Sequence, residues 1–242
     1  MSRVLEIDAG AREVLGVRAI QAMRQRVRII QMLDAAEHAA ISPLRTRRLH
    51  AFAYLADVLS PVWDMPTFDG KVLKIEGGPH YPDLQREVDR LAILGLINIS
   101  DVQYVPRPDG GARIDALYSL NLESPILPAI LGALGARGRS TALDPRDSDV
   151  CDYLLDLAGA LATVPQEEIE KAATVDATYS DQRVDLSNVI DFGRWSNDIH
   201  ADNLSLRTVD RFRQFLPDDA SLGSGEKLYL YATFLGRRVN AR

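Results

Sequence analysis

Apolar positions recur every three or four residues in several segments of the chain, and each such run predicts an amphipathic helix. From Glu13 to Ala40 the recurrence is carried by Val17, Ile20, Val27, Ile30 and Leu33, with Arg18, Arg24, Arg26 and Arg28 between them. Ser42-Pro43 reads as a helix restart, a capping residue followed by a first-turn proline, with Leu49, Phe52, Ala56 and Leu59 as the buried stripe. The sharpest pattern lies in Glu76–Ile97. There Pro82 and Asp83 suit a first helical turn, Leu84, Val88 and Leu91 form one stripe, and Gly95 suits the left-handed stop. Gln85, Arg86, Asp89 and Arg90 fall off the stripe, so this helix has a wet face.

The period then changes from helical to alternating. Leu96-Ile97-Asn98-Ile99 reads as a short strand, Pro106–Gly111 as a turn, and Arg113–Leu120 as a return strand with Ile114, Ala116, Tyr118 and Leu120 on one face. Ahead of the third helix, Pro61–Gly78 reads as a loop enclosing a short strand, Lys71–Ile75. Beyond the return strand, Pro125–Leu134 is a short apolar helix and 135–141, rich in glycine and arginine, is a hinge. Helices are predicted at Asp149–Leu161, Pro165–Ala173, Leu204–Phe215 and Gly225–Val239. The expected fold class is α+β, mainly α. An N-terminal helical segment (1–41) precedes a winged-helix domain (42–123), whose back half is the helix, strand, turn and strand just described; a C-terminal helical domain (124–242) follows.

Composition narrows the class of protein. With 242 residues, 46% of them hydrophobic and 26% charged, the chain can bury real cores and is not disordered by default. No apolar run approaches the roughly 18 residues a membrane helix needs, and the start has no signal-peptide core, so a cytoplasmic protein with no membrane contact is expected. The net charge of -6 is uneven: residues 1–50 hold nine arginines against five acids, while both later stretches are acidic. A general nucleic-acid coat requires a broad basic footprint, so any DNA contact is expected to be local. Arg45, Arg47 and Arg48 crowd the start of the second helix, the unfavourable dipole end for cations. That placement fits an external anionic partner or local salt bridges. The arginines of the first helix fit a solvated basic face or a docking helix.

Candidate chemistry is sparse. Asp198, His200 and Asp202 alternate like metal ligands but lack a supporting cluster. Gly223–Lys227 lacks the ending of a phosphate loop, and Asp191-Phe192-Gly193 stands without the loops that would make it a kinase motif. The glycines at 132, 135 and 138 are misplaced for a dinucleotide fingerprint. Cys151, the one cysteine, sits among Asp149, Asp152 and Asp156, which oppose a thiolate, and reads as a packing residue. No catalytic residues, no metal and no cofactor are expected.

Tyr54-Leu55-Ala56, Gly78-Pro79-His80-Tyr81-Pro82-Asp83-Leu84, Val88-Asp89-Arg90-Leu91 and Leu94-Gly95-Leu96-Ile97 together resemble a prokaryotic group. It comprises Panacea-type antitoxin domains and the middle components of three-component defence systems built around an ABC-type ATPase. The resemblance covers about residues 43–121 and departs from the group's pattern at Ile75-Glu76-Gly77, where an aromatic or basic residue is usual. It implies a non-catalytic accessory subunit that links an SMC/ABC-type ATPase to an effector subunit in a hetero-oligomeric antiviral complex. The alternative is a winged-helix DNA-binding regulator or antitoxin. The residues expected at the partner or nucleic-acid surface are Arg45, Arg47, Arg48, Gln85, Arg86, Arg90, Arg107 and Arg113.

Overall fold

The computed structural model describes residues 2–68, 70–106, 111–136, 142–192, 203–217 and 221–241, with side chains from residue 19 onward. The fold is α+β and mainly helical, with two small antiparallel sheets. In chain order the elements are α1 (Ser2–His38), β1 (Leu44–Arg45), α2 (Thr46–Leu59), β2 (Lys71–Ile75), β3 (Gly78–His80), α3 (Pro82–Ile93), β4 (Ile97–Pro106) and β5 (Ala112–Leu120). They continue as α4 (Leu127–Ala133), α5 (Pro145–Leu161), α6 (Ile169–Val175), β6 (Val189–Asp191), α7 (Leu204–Arg211) and α8 (Ser224–Asn240).

Helix α2 sits at the centre. Every residue from Leu49 to Leu59 is buried, so the helix is covered on all sides rather than along the one predicted stripe. It packs against α5, α6, α7, β1, β3 and β5, while α1 packs on α3, α5 and β5, and α8 closes over α5 and α6. One continuous apolar cluster therefore runs from Ile29 through Phe52, Leu84 and Leu154 to Leu235.

Burying a helix on all faces requires each of its polar groups to find a partner inside. Asp57 accepts from Tyr81 Oη at 2.7 Å and from the Phe68 N–H at 2.9 Å, and pairs with Arg28 Nη1 at 3.2 Å. The Arg28 guanidinium also donates to the Ala53 carbonyl and lies 4.2 Å from the Phe68 ring centre. Tyr54 Oη donates to Asp176 at 2.5 Å. Asp176, itself fully buried, further accepts from Tyr231 Oη at 2.6 Å, from Ser205 Oγ at 2.7 Å and from the N–H groups of Thr178 and Tyr179. Burial beside this carboxylate drives the Tyr54 and Tyr231 phenols well above their ordinary pKa, so both remain donors.

The first sheet has the order β1-β5-β4, with Leu44 opposite Tyr118 and Ile97 opposite Leu120. The second has the order β3-β2-β6 and joins residues 71–80 to Val189–Asp191. Gly95, at φ +69°, ends α3 as its sequence predicts.

Several expectations are corrected. Ser42 does not cap α2: its Oγ bonds Glu37 at 2.8 Å, Leu44-Arg45 are extended on β5, and the helix begins at Thr46. Arg28 is not on a solvated face but 4% exposed, because Asp57 and the Phe68 ring draw it inward. Leu96–Ile99 is not a short strand: β4 runs ten residues. Ile114 does not share the burial of Ala116, Tyr118 and Leu120 on the same face: it is exposed, and among the described residues no helix covers the sheet there. Phe192 is core, 2% exposed, beside a strand the sequence pattern did not show. Residues 198–202 and most of the proposed hinge lie outside the described residues.

Asp176→Ala leaves several buried donors without an acceptor and is expected to cost about 3 kcal/mol or more, against about 1–2 kcal/mol for Tyr231→Phe. Urea unfolding, read as a shift in midpoint at unchanged slope, checks both.

Candidate partner and nucleic-acid interface

The residues singled out as a contact surface divide into three places. Arg45, Arg47 and Arg48 stand at the start of α2; Gln85, Arg86 and Arg90 lie on α3; Arg113 is on β5, and Arg107 falls outside the described residues.

The first group is engaged internally. Arg45 bonds Asp101 and reaches Asp115 at 3.4 Å; its proton is held more tightly than usual, first through the hydrogen bond to Asp101. Arg48 donates to Gln166 at 3.2 Å and lies 3.7 Å from Glu170. The Arg47 guanidinium rests on the β2–β3 turn at Gly77, where an added Cβ would stand 2.8 Å from Nη2. With φ at +91°, Gly77 is favoured by its backbone conformation. Two of the cations at this unfavourable dipole end, Arg45 and Arg48, are thus compensated by carboxylates of the fold.

On α3 the sequence pattern missed the organising residue. Glu87 is fully buried, and three arginines gather on it: Arg26 of α1 at 2.7 Å, Arg90 at 2.6 Å and Arg86 at 3.6 Å. Arg86 also pairs with Asp83 at 2.8 Å. The Arg86 and Arg90 side chains nevertheless remain about half exposed. Gln85 turns inward, donating to Asp89 and to Tyr118 Oη, both at 3.0 Å. It is a link between α3 and β5.

His50 of α2 fixes where α3 begins. Its Nδ1 accepts from the N–H of Tyr81, the residue just before the helix, at 3.1 Å, and this places the imidazole hydrogen on Nε2. Burial, reinforced by His80 with its ring centre 4.9 Å away, pushes the His50 pKa down to about 3.

Large apolar side chains are left to solvent as well. In β4 only Ile97 is buried. Past an irregularity between Ser100 and Gln103, the hairpin of β4 and β5 carries Tyr104 directly opposite Ile114, 77% and 55% exposed. Ile99 and Val102 are exposed nearby on β4, and Ile93 and Leu94 at the end of α3. The alternation of Val102 and Tyr104 was a signal in the sequence; the missing cover was not. Arg113 is half-buried opposite Val105. Cys151 is buried with its pKa pushed up to about 11, first by desolvation. No group of three metal-binding side chains occurs among the described residues, nor any helix long and apolar enough to cross a membrane.

Comparison with known proteins returns no match among family models, curated proteins or solved structures.

The imidazole of His50 binds its proton less readily in the folded chain than in the unfolded one. Its contribution is therefore full above the unfolded pKa of about 6.5 and is lost as pH falls toward about 3. The expected slope from this group is up to about 1.4 kcal/mol per pH unit, and His50→Gln should flatten stability against pH by that much. Urea titrations at stepped pH measure it.

Proposed function

We propose that the chain is a winged-helix accessory subunit, without catalytic residues of its own, that links an SMC/ABC-type ATPase to an effector in a prokaryotic antiviral complex. The winged-helix reading is supported by the order β1-β5-β4, with α1, α2 and α3 preceding the β4–β5 hairpin as the wing. The observation that carries the connector reading is the pair Tyr104 and Ile114. Large apolar side chains face each other, bare, on a hairpin that extends the core face of its sheet. Aromatic and aliphatic anchors of this kind are what protein interfaces bury. Most of the arginines expected to touch an anionic partner are compensated from within. The ATPase and the effector come from the sequence resemblance alone.

A second reading, a DNA-binding regulator or antitoxin, is favoured by the half-exposed guanidinium groups of Arg86 and Arg90 on the helix before the wing. Buried Glu87 offsets one of those charges, and Gln85 is turned inward, which weakens it.

Co-expression with the products of neighbouring genes is expected to yield a stable hetero-complex containing an ATPase. Tyr104→Asp with Ile114→Asp should lower the captured partner at least tenfold while circular dichroism stays unchanged. A chain that elutes alone in every such preparation would rule out the connector. Fluorescence anisotropy with a 20-base-pair duplex separates the second reading. The connector predicts weak binding that Arg86→Ala and Arg90→Ala hardly alter; tight, steeply salt-dependent binding lost in those variants favours the regulator.

A further inference from the structure

We propose that Arg45, bonded to Asp101 and Asp115, is a clamp that aims the outer part of the β4–β5 hairpin at its partner, resting here on the docking role just assigned to that hairpin. The outer part, residues 102–106 and 112–114, is mostly exposed, with Val105 and Arg113 half-buried. It joins the body at a β-bulge, where the register slips between Ser100 and Gln103 and Asp101 takes φ +47°. A bulge bends its strand and interrupts the ladder, so it is a point at which the hairpin can swing. Below the bulge the hairpin is anchored, because Ile97, Ala116, Tyr118 and Leu120 are buried.

Arg45 reaches across that joint. Its backbone belongs to β1, opposite Leu117 on the anchored part of β5. One guanidinium nitrogen, Nη2, bonds Asp101 on the bulged strand, while Nη1 lies 3.4 Å from Asp115 on the other strand. Asp101 also accepts from Gln103 Nε2 at 2.7 Å, which ties the first residue past the bulge into the same cluster. A planar fork that spans two carboxylates fixes direction as well as distance, a geometry a lysine ammonium cannot copy. The cluster is partly exposed, so salt is expected to loosen it. Arg45, singled out in the sequence as an anion contact, thereby becomes a positioning residue for the apolar pair at Tyr104 and Ile114.

Amide residual dipolar couplings and heteronuclear relaxation of the full chain test this. In the wild type one alignment tensor should fit both the core and residues 102–106. In Arg45→Ala, and in Arg45→Lys, which keeps the charge, the hairpin couplings should fall by half or more with core spectra unchanged. Raising salt to 1 M should move the wild type in the same direction. Hairpin couplings that are unaltered in both variants would overturn the clamp, since the bulge alone would then hold the arm. Partner capture then reads the consequence: Arg45→Ala should weaken it severalfold, and capture equal to wild type would also overturn the aiming role. A wild type that captures nothing defeats the docking role instead, and the couplings still decide the clamp.

Discussion

Complete burial of α2 is the constraint on which the rest of the structure depends. A helix with Leu49, Phe52, Ala53, Leu55, Val58 and Leu59 spread around its circumference must be wrapped by other elements. Its polar residues then serve as fixed points, because a buried donor or acceptor left unmatched costs more than an ordinary hydrogen bond gains. His50 holds the start of α3, Asp57 gathers Arg28 of α1 with Tyr81, and Tyr54 reaches Asp176 and through it α7 and α8. Three directions of packing are set by three side chains of one helix.

The same demand explains the surface. Arg26, Arg28, Arg45 and Arg48 look like a basic footprint when read along the chain, yet each is drawn to a carboxylate of the fold. Glu87 shows why a net charge summed over a helix misleads: its carboxylate is inside, so it orders the guanidinium groups around it rather than repelling a partner from outside. Among the described residues, the hairpin and the end of α3 both carry bare apolar side chains, Tyr104 and Ile114 on the one and Ile93 and Leu94 on the other.

The helices were legible because their burial is one-sided or their ends are marked. Leu84, Val88 and Leu91 lie on the buried face of α3, and Gly95 stops it with the positive φ that glycine allows. The helix predicted at Gly225–Val239 is α8, whose first turn is held by Glu226 accepting from the Gly223 N–H at 2.8 Å. The candidate surface was legible only in part. Arg86 and Arg90 are about half exposed, but Gln85 is half-buried against Tyr118, and Tyr104 lies between two better-marked segments. The two-residue β1 and three-residue β3 and β6 are too short to show a period, and their pairing partners lie up to about 120 residues away, as Lys71 and Asp191 do.

Local chemistry in the sequence therefore determined where helices run, where they stop, and that the chain is α+β and mainly helical, since these follow from side-chain spacing and backbone preference within a few residues. Tertiary structure alone decided which charges are spent inside, that α2 is enclosed on every side, and that Tyr104 and Ile114 of the outer hairpin are exposed. Those outcomes depend on which distant segment arrives at a given face. Asp57 receives Arg28, and Asp176 receives Tyr54, only because the chain between them has folded back, and no spacing rule along the sequence encodes that meeting.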